Sequence, residues 1–169
     1  MKYLIFTLLI SFATLLSAQS KNLQTLLDLK ITSVEKMRKP LENTIFLVYK
    51  DDVMIDSILL EKGRFKLKLD TGFVYKVTIK KSDFVSKYVI LNTKEAPVKA
   101  KKHTKLKIDI GLFHEKDNLH VAFLKTEPIG YARYDFITEK MAWDEAYLDL
   151  MKSKIISATL DYAKSKEKP

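Results

Sequence analysis

The chain has 169 residues, enough for one domain of ordinary size. Hydrophobic residues make up 47%, which allows a core that folds without cross-links, and cysteine is absent, which excludes both a disulfide scaffold and a lipid-modified cysteine. Lysine and arginine outnumber aspartate and glutamate by 30 to 21, so an anionic partner fits the balance, although the plain consequence of such a charge is solubility.

Residues 1–20 open with Lys2 and an apolar run from Tyr3 to Leu16, and end in Ala18-Gln19-Ser20. The run is short for a membrane span and closes on small and polar residues, the pattern of a secretory signal peptide. The mature chain is expected to start near Lys21, with 29 basic and 21 acidic residues and a formal charge of +8. Later apolar runs are strand-length and interrupted by charge, so no further transmembrane segment is expected. The compartment these features specify is the periplasm or the outside of the cell.

Residues 21–28 read as a frayed segment before a strand over 29–35, and Lys39-Pro40 reads as a turn. Thr44 to Lys50 is a β-branched and aromatic run, followed by a tight turn at Lys50-Asp51-Asp52 and a strand over 53–60. In 64–69, Phe65, Leu67 and Leu69 alternate with Arg64, Lys66 and Lys68. In 73–80, Phe73, Tyr75, Val77 and Ile79 alternate with Val74, Lys76, Thr78 and Lys80. A period of two puts one set in the core and the other in water. Gly63 and Gly72 fall at the corners, where a positive φ is expected. A strand over 84–92, a lysine-rich connection over 93–107 and a strand carrying Leu106, Ile108, Ile110 and Leu112 complete the set. Strands at this spacing predict a mainly β chain, an antiparallel β-sandwich over 29–112, rather than βαβ units.

Residues 113–143 read as an irregular aromatic arm containing Pro128, Tyr131, Tyr134 and Trp143. Residues 144–169 read as a C-terminal α-helix and basic tail, with Tyr147, Met151, Ile155, Ala158 and Tyr162 as the apolar stripe. The arm and helix either complete the core or dock a partner. Core completion is the preferred reading, because a helix of this length needs tertiary packing.

Four motifs carry a resemblance: Pro40-Leu41, Gly63-x-Phe65, Tyr75-Lys76-Val77-Thr78-Ile79 and Asp83-Phe84. Residues 29–112 with these motifs resemble the carboxypeptidase regulatory-like, or transthyretin-like (prealbumin-like), β-sandwich domain. Ser33 stands where that family often has glycine, and Ser82-Asp83 replaces its usual glycine turn. Pro128, Tyr134, Asp135, Trp143, Asp144 and Tyr147 resemble the end of an uncharacterised family of exported Gram-negative bacterial proteins. Both resemblances imply a fold and a compartment, and neither implies an activity.

Chemistry-bearing residues are few. His103, His114 and His120 include two within one loop, but Lys116 lies between them and no ligand pattern recurs, so a polar loop is expected rather than a metal site. No serine stands in a Gly-x-Ser-x-Gly elbow and no phosphate-cradling glycine loop exists. Asp135 and Asp144 could be the paired carboxylates of a hydrolase, but a turn bond and a helix cap are the expected roles. Catalytic, cofactor and metal sites are therefore all expected to be absent. Arg64, Lys66 and Lys68 on one strand, with Lys76, Lys80 and Lys81 on or beside its neighbour, form a candidate anionic-ligand surface. The aromatics alternate into the core, so nucleic-acid binding is not expected. The expected function is a non-enzymatic envelope protein, structural or protein-binding, with a binder of anionic polysaccharide or lipopolysaccharide as the alternative.

Overall fold

The computed structural model describes residues 24–34, 39–97, 104–116 and 120–166. The proposed signal segment, Lys36, His103 and the last residues of the basic tail lie outside them. Two sheets stack face to face. One contains β1 (Gln24–Ser33), β4 (Arg64–Asp70) and β7 (Lys105–Leu112) in the order β4-β1-β7. The other contains β2 (Thr44–Lys50), β3 (Val53–Leu60), β5 (Val74–Lys80), β6 (Lys87–Asn92), β8 (Gly130–Asp135) and β9 (Lys140–Trp143) in the order β3-β2-β5-β6-β8-β9. The mainly β, two-layer architecture with one C-terminal helix, α1 (Glu145–Lys166), is as the periodicity predicts.

The core lies between the layers and follows the period-two pattern. Leu27, Leu29 and Ile31 of β1 are fully buried against Phe46 and Val48 of β2, Val77 and Ile79 of β5, and Val89 and Leu91 of β6. Phe46 and Phe65 stack across the layers with centroids 4.3 Å apart.

Three expectations need correction. The sandwich is not purely antiparallel, because β1 pairs with β7 and β6 with β8 in parallel. Alternation reports which face a residue occupies and is blind to strand direction. The first strand starts at Gln24 rather than near 29, since Leu27, Leu29 and Ile31 alternate inward without a break. The described part of 113–143 is also more regular than the irregular arm expected there. It holds a short 3-10 helix, Ala122–Lys125, and the antiparallel hairpin β8-β9.

The corners are built differently from one another. Gly72 has φ +93°, as a left-handed corner requires. Gly63 has no positive φ; a Cβ there would sit 2.5 Å from the Ile31 carbonyl oxygen and 2.9 Å from the Pro40 Cβ, so close approach is what demands glycine. Asp51 and Asp52 take φ values of 45° and 66°, the primed geometry that suits a two-residue hairpin loop between β2 and β3. Asp83 takes φ 64° at the corner that precedes β6.

Candidate binding surfaces

The lysine face predicted from sequence is divided by the fold. Arg64, Lys66 and Lys68 project from β4 on the outer side of the three-stranded sheet, while Lys76 and Lys80 project from β5 on the outer side of the other sheet. Strands β4 and β5 are consecutive but do not pair, because the chain changes layers at the Gly72 corner. Lys81 turns to the Glu42 carbonyl, which accepts its Nζ–H at 2.7 Å.

On the three-stranded sheet the cations surround an acid, Asp28, that lies in β1 rather than in a frayed segment. Asp28 stands opposite Lys66 on β4 and opposite Lys107 on β7. Its carboxylate accepts hydrogen bonds from Arg64 Nε at 2.9 Å and Nη2 at 3.0 Å, and Lys105 Nζ lies 2.8 Å away. Asp28 is 3% exposed because these side chains cover it. The hydrogen bonds from Arg64, then Lys105, hold the carboxyl well below the usual carboxylate range and outweigh its partial desolvation. Lys66, Lys68 and Lys107 are exposed and, among the described residues, have no carboxylate within ion-pair distance. The signal for Asp28 was present in the inward alternation of Leu27, Leu29 and Ile31, which places Leu26, Asp28 and Lys30 outward.

On the six-stranded sheet the outward residues line an open cleft of about 340 Å³. Tyr49 comes from β2, Lys76, Thr78 and Lys80 from β5, Ser86 from the residue before β6, Lys87 and Tyr88 from its start, and Leu124 and Lys125 from the 3-10 helix that forms its rim. Among the described residues, no acid lines it. Lys76 Nζ sits 4.4 Å from the centre of the Tyr88 ring, and Tyr88 donates its hydroxyl to the Thr126 carbonyl at 2.6 Å, which ties the rim to the sheet.

One edge of this sheet is β3, and the other is β9. Val53, Met54, Ile55 and Leu59 are 66%, 56%, 53% and 61% exposed, and Ile45 beside them on β2 is also exposed. Asp56 is the only charged residue in the strand.

The aromatic arm and the helix pack onto this chain. Met151 and Ala158 are buried, and Trp143, Tyr147 and Ile155 pack against the core. Tyr162 shares their helical stripe, but its side chain lies outside the described ones. Trp143 donates Nε1–H to the Lys107 carbonyl at 2.9 Å, joining the β9 edge of one sheet to the β7 edge of the other. Tyr147 donates its hydroxyl to the Pro128 carbonyl at 2.8 Å. Tyr134 is buried, with its ring edge-on to Phe136, and Tyr131 remains half-exposed beside Asn92.

The two acids weighed as a catalytic pair serve separate local structures. Asp135 accepts from Ile137 N–H at 2.8 Å and from the Thr138 hydroxyl at 2.8 Å, closing the β8-β9 turn. Asp144 accepts from Tyr147 N–H at 3.0 Å and caps α1. Asp144 N–H bonds to the Tyr131 carbonyl, so the acids stand at opposite ends of the hairpin, about 13 Å apart at the usual strand rise. His114 lies against the Phe84 ring with Nδ1 3.2 Å from the Asp83 carbonyl oxygen, and His120 is exposed. Among the described residues, no three His, Cys, Asp or Glu side chains gather as a metal site would require. No family model matches the chain, and no curated protein matches it.

Proposed function

We propose that this chain is a non-enzymatic, exported interaction module that accepts an extended strand of a partner envelope protein along the free edge of β3. The observation that carries the reading is the chemistry of that edge. Edge strands in native proteins are commonly blunted by lysine, proline or cover. The other three sheet edges carry basic side chains: Arg64, Lys66 and Lys68 on β4, Lys105 and Lys107 on β7, and Lys140 on β9. Strand β3 carries none over eight residues, in a chain with 30 basic residues. Its protection is limited to the single acid Asp56 and a register irregularity at Ile55. A strand that leaves backbone donors and acceptors free beside exposed apolar side chains suits strand addition.

Export rests on Lys2, the Tyr3–Leu16 run and the Ala18-Gln19-Ser20 exit, and no described helix is long and apolar enough to cross a membrane. Membership of the carboxypeptidase regulatory-like domains is proposed on the motifs between Pro40 and Phe84, and the two-layer arrangement of β1 to β7 supports it.

A photo-crosslinking residue at Ile55, used in intact cells and followed by fractionation, tests the reading. The expected product is one discrete adduct in the periplasmic or extracellular fraction, on a chain whose N-terminus lies near Lys21. Leu59→Lys should remove the adduct without lowering the melting temperature. An intact Met1 in the membrane fraction, or no adduct at Ile55, would overturn it.

A second reading has its own support. Among the described residues, Lys66, Lys68 and Lys107 have no carboxylate within ion-pair distance, which favours an anionic polysaccharide or lipopolysaccharide on the three-stranded sheet. It requires affinity that falls steeply with salt and is lost in Lys66→Glu/Lys68→Glu.

A further inference from the structure

We infer that the cleft beside the 3-10 helix is a binding site for a compact anionic sugar, one bearing a phosphate ester or a carboxylate. The surface differs from β3 and from the three-stranded sheet, so this inference stands or falls independently of the function proposed above. Four lysines, Lys76, Lys80, Lys87 and Lys125, line one cleft with no acid among its described lining residues; Lys87 gives its ammonium to the Gly111 carbonyl, which leaves Lys76, Lys80 and Lys125 for a ligand. Lys76 and Lys80 have no carboxylate partner among the described residues, and Lys125 has only a long, exposed contact of 3.8 Å to Glu115. Like charges grouped in this way repel one another, and an anion between them removes the repulsion.

The polar groups between the lysines point to the rest of the ligand. The hydroxyls of Tyr49, Thr78 and Ser86 line the same cleft, and none has a hydrogen-bond partner in the chain among the described residues. A hydroxyl both donates and accepts, which suits sugar hydroxyls, whereas ammonium groups only donate and suit the anion. The Tyr49 ring adds a half-buried wall, and Tyr88 is held in place through Thr126. A volume of about 340 Å³ is at the small end of ligand sites, which favours one or two sugar rings over a long polymer. The rim formed by Leu124 and Lys125 bounds one side of the cleft.

The test is calorimetric titration of the purified protein with glucose 6-phosphate, glucuronate, glucose and inorganic phosphate, with amide chemical shifts recorded in parallel. Saturable binding of glucose 6-phosphate or glucuronate is expected, with shift changes at Thr78 and Ser86, and the tighter of the two identifies the anionic group. Lys76→Gln and Lys80→Gln should each weaken it about tenfold, as expected for loss of one charged hydrogen bond. Lys66→Gln, on the opposite layer, should leave it unchanged. Three results would overturn the inference: no saturable binding of either anionic sugar, equal weakening by Lys66→Gln, or inorganic phosphate binding as tightly as the sugar phosphate.

Discussion

Lys87 Nζ donates to the carbonyl oxygen of Gly111 at 2.6 Å, a bond that runs from β6 across the sandwich to β7. Lys87 shares its parity with Val89 and Leu91, so its side chain enters between the layers, where its ammonium also lies 4.3 Å from the centre of the Phe113 ring. Burial lowers its pKa from 10.5 to about 8.

The sign of the pH effect follows. Below pH 8 the ammonium is charged in both folded and unfolded chains, and the cost of burying it is fully present. Between about 8 and 10.5 the folded chain has released a proton that the unfolded chain keeps, so stability from this group rises with pH. The depression corresponds to roughly 3 kcal/mol, offset in part by the Gly111 bond and the Phe113 contact. Lys87→Met should therefore be about 1–2 kcal/mol more stable than the parent at pH 7, with the gap closing by pH 10.5. Urea unfolding of both proteins across that range measures it, and a gap independent of pH would refute the assignment.

Asp28 should behave in the opposite sense in acid. Its folded pKa is depressed by Arg64 and Lys105, so its contribution is fully present above the unfolded carboxylate value, about 3.9, and is lost as pH falls below it. Asp28→Asn should lower the melting temperature by about 3 °C at pH 7, a modest effect because both cations stay largely in water. The two melting curves should converge as pH is lowered from 4 towards 2. Convergence above pH 5 instead would mean that another group carries the effect.

The helix offers a direct comparison of its two faces. Met151 is 1% exposed, whereas Leu160 is 54% exposed on the far side. Met151→Ala should cost about 2–4 kcal/mol through lost contacts and a cavity, and Leu160→Ala less than about 0.5 kcal/mol. Removal of residues 144–169 should lower the melting temperature sharply. A truncated chain that melts with the intact one would mean that the helix is not part of the core.

Local chemistry made much of this chain legible from sequence. Alternation at Phe65-Leu67-Leu69 and Tyr75-Val77-Ile79 identifies inward and outward faces, because successive side chains on a strand must point to opposite sides. The Asp51-Asp52 corner, the Asp144 cap and the stripe of Met151, Ile155 and Ala158 are equally local, each set by backbone geometry within a few residues. What alternation cannot carry is the identity of a strand's neighbour. Partners are chosen by burial of the whole core and by hydrogen bonds between distant segments, so only the tertiary structure put Arg64 and Lys76 on opposite layers and ran β1 parallel to β7. It alone brought Asp28 under Arg64, 36 residues away, and put Lys125 and Lys76 in the lining of one open cleft.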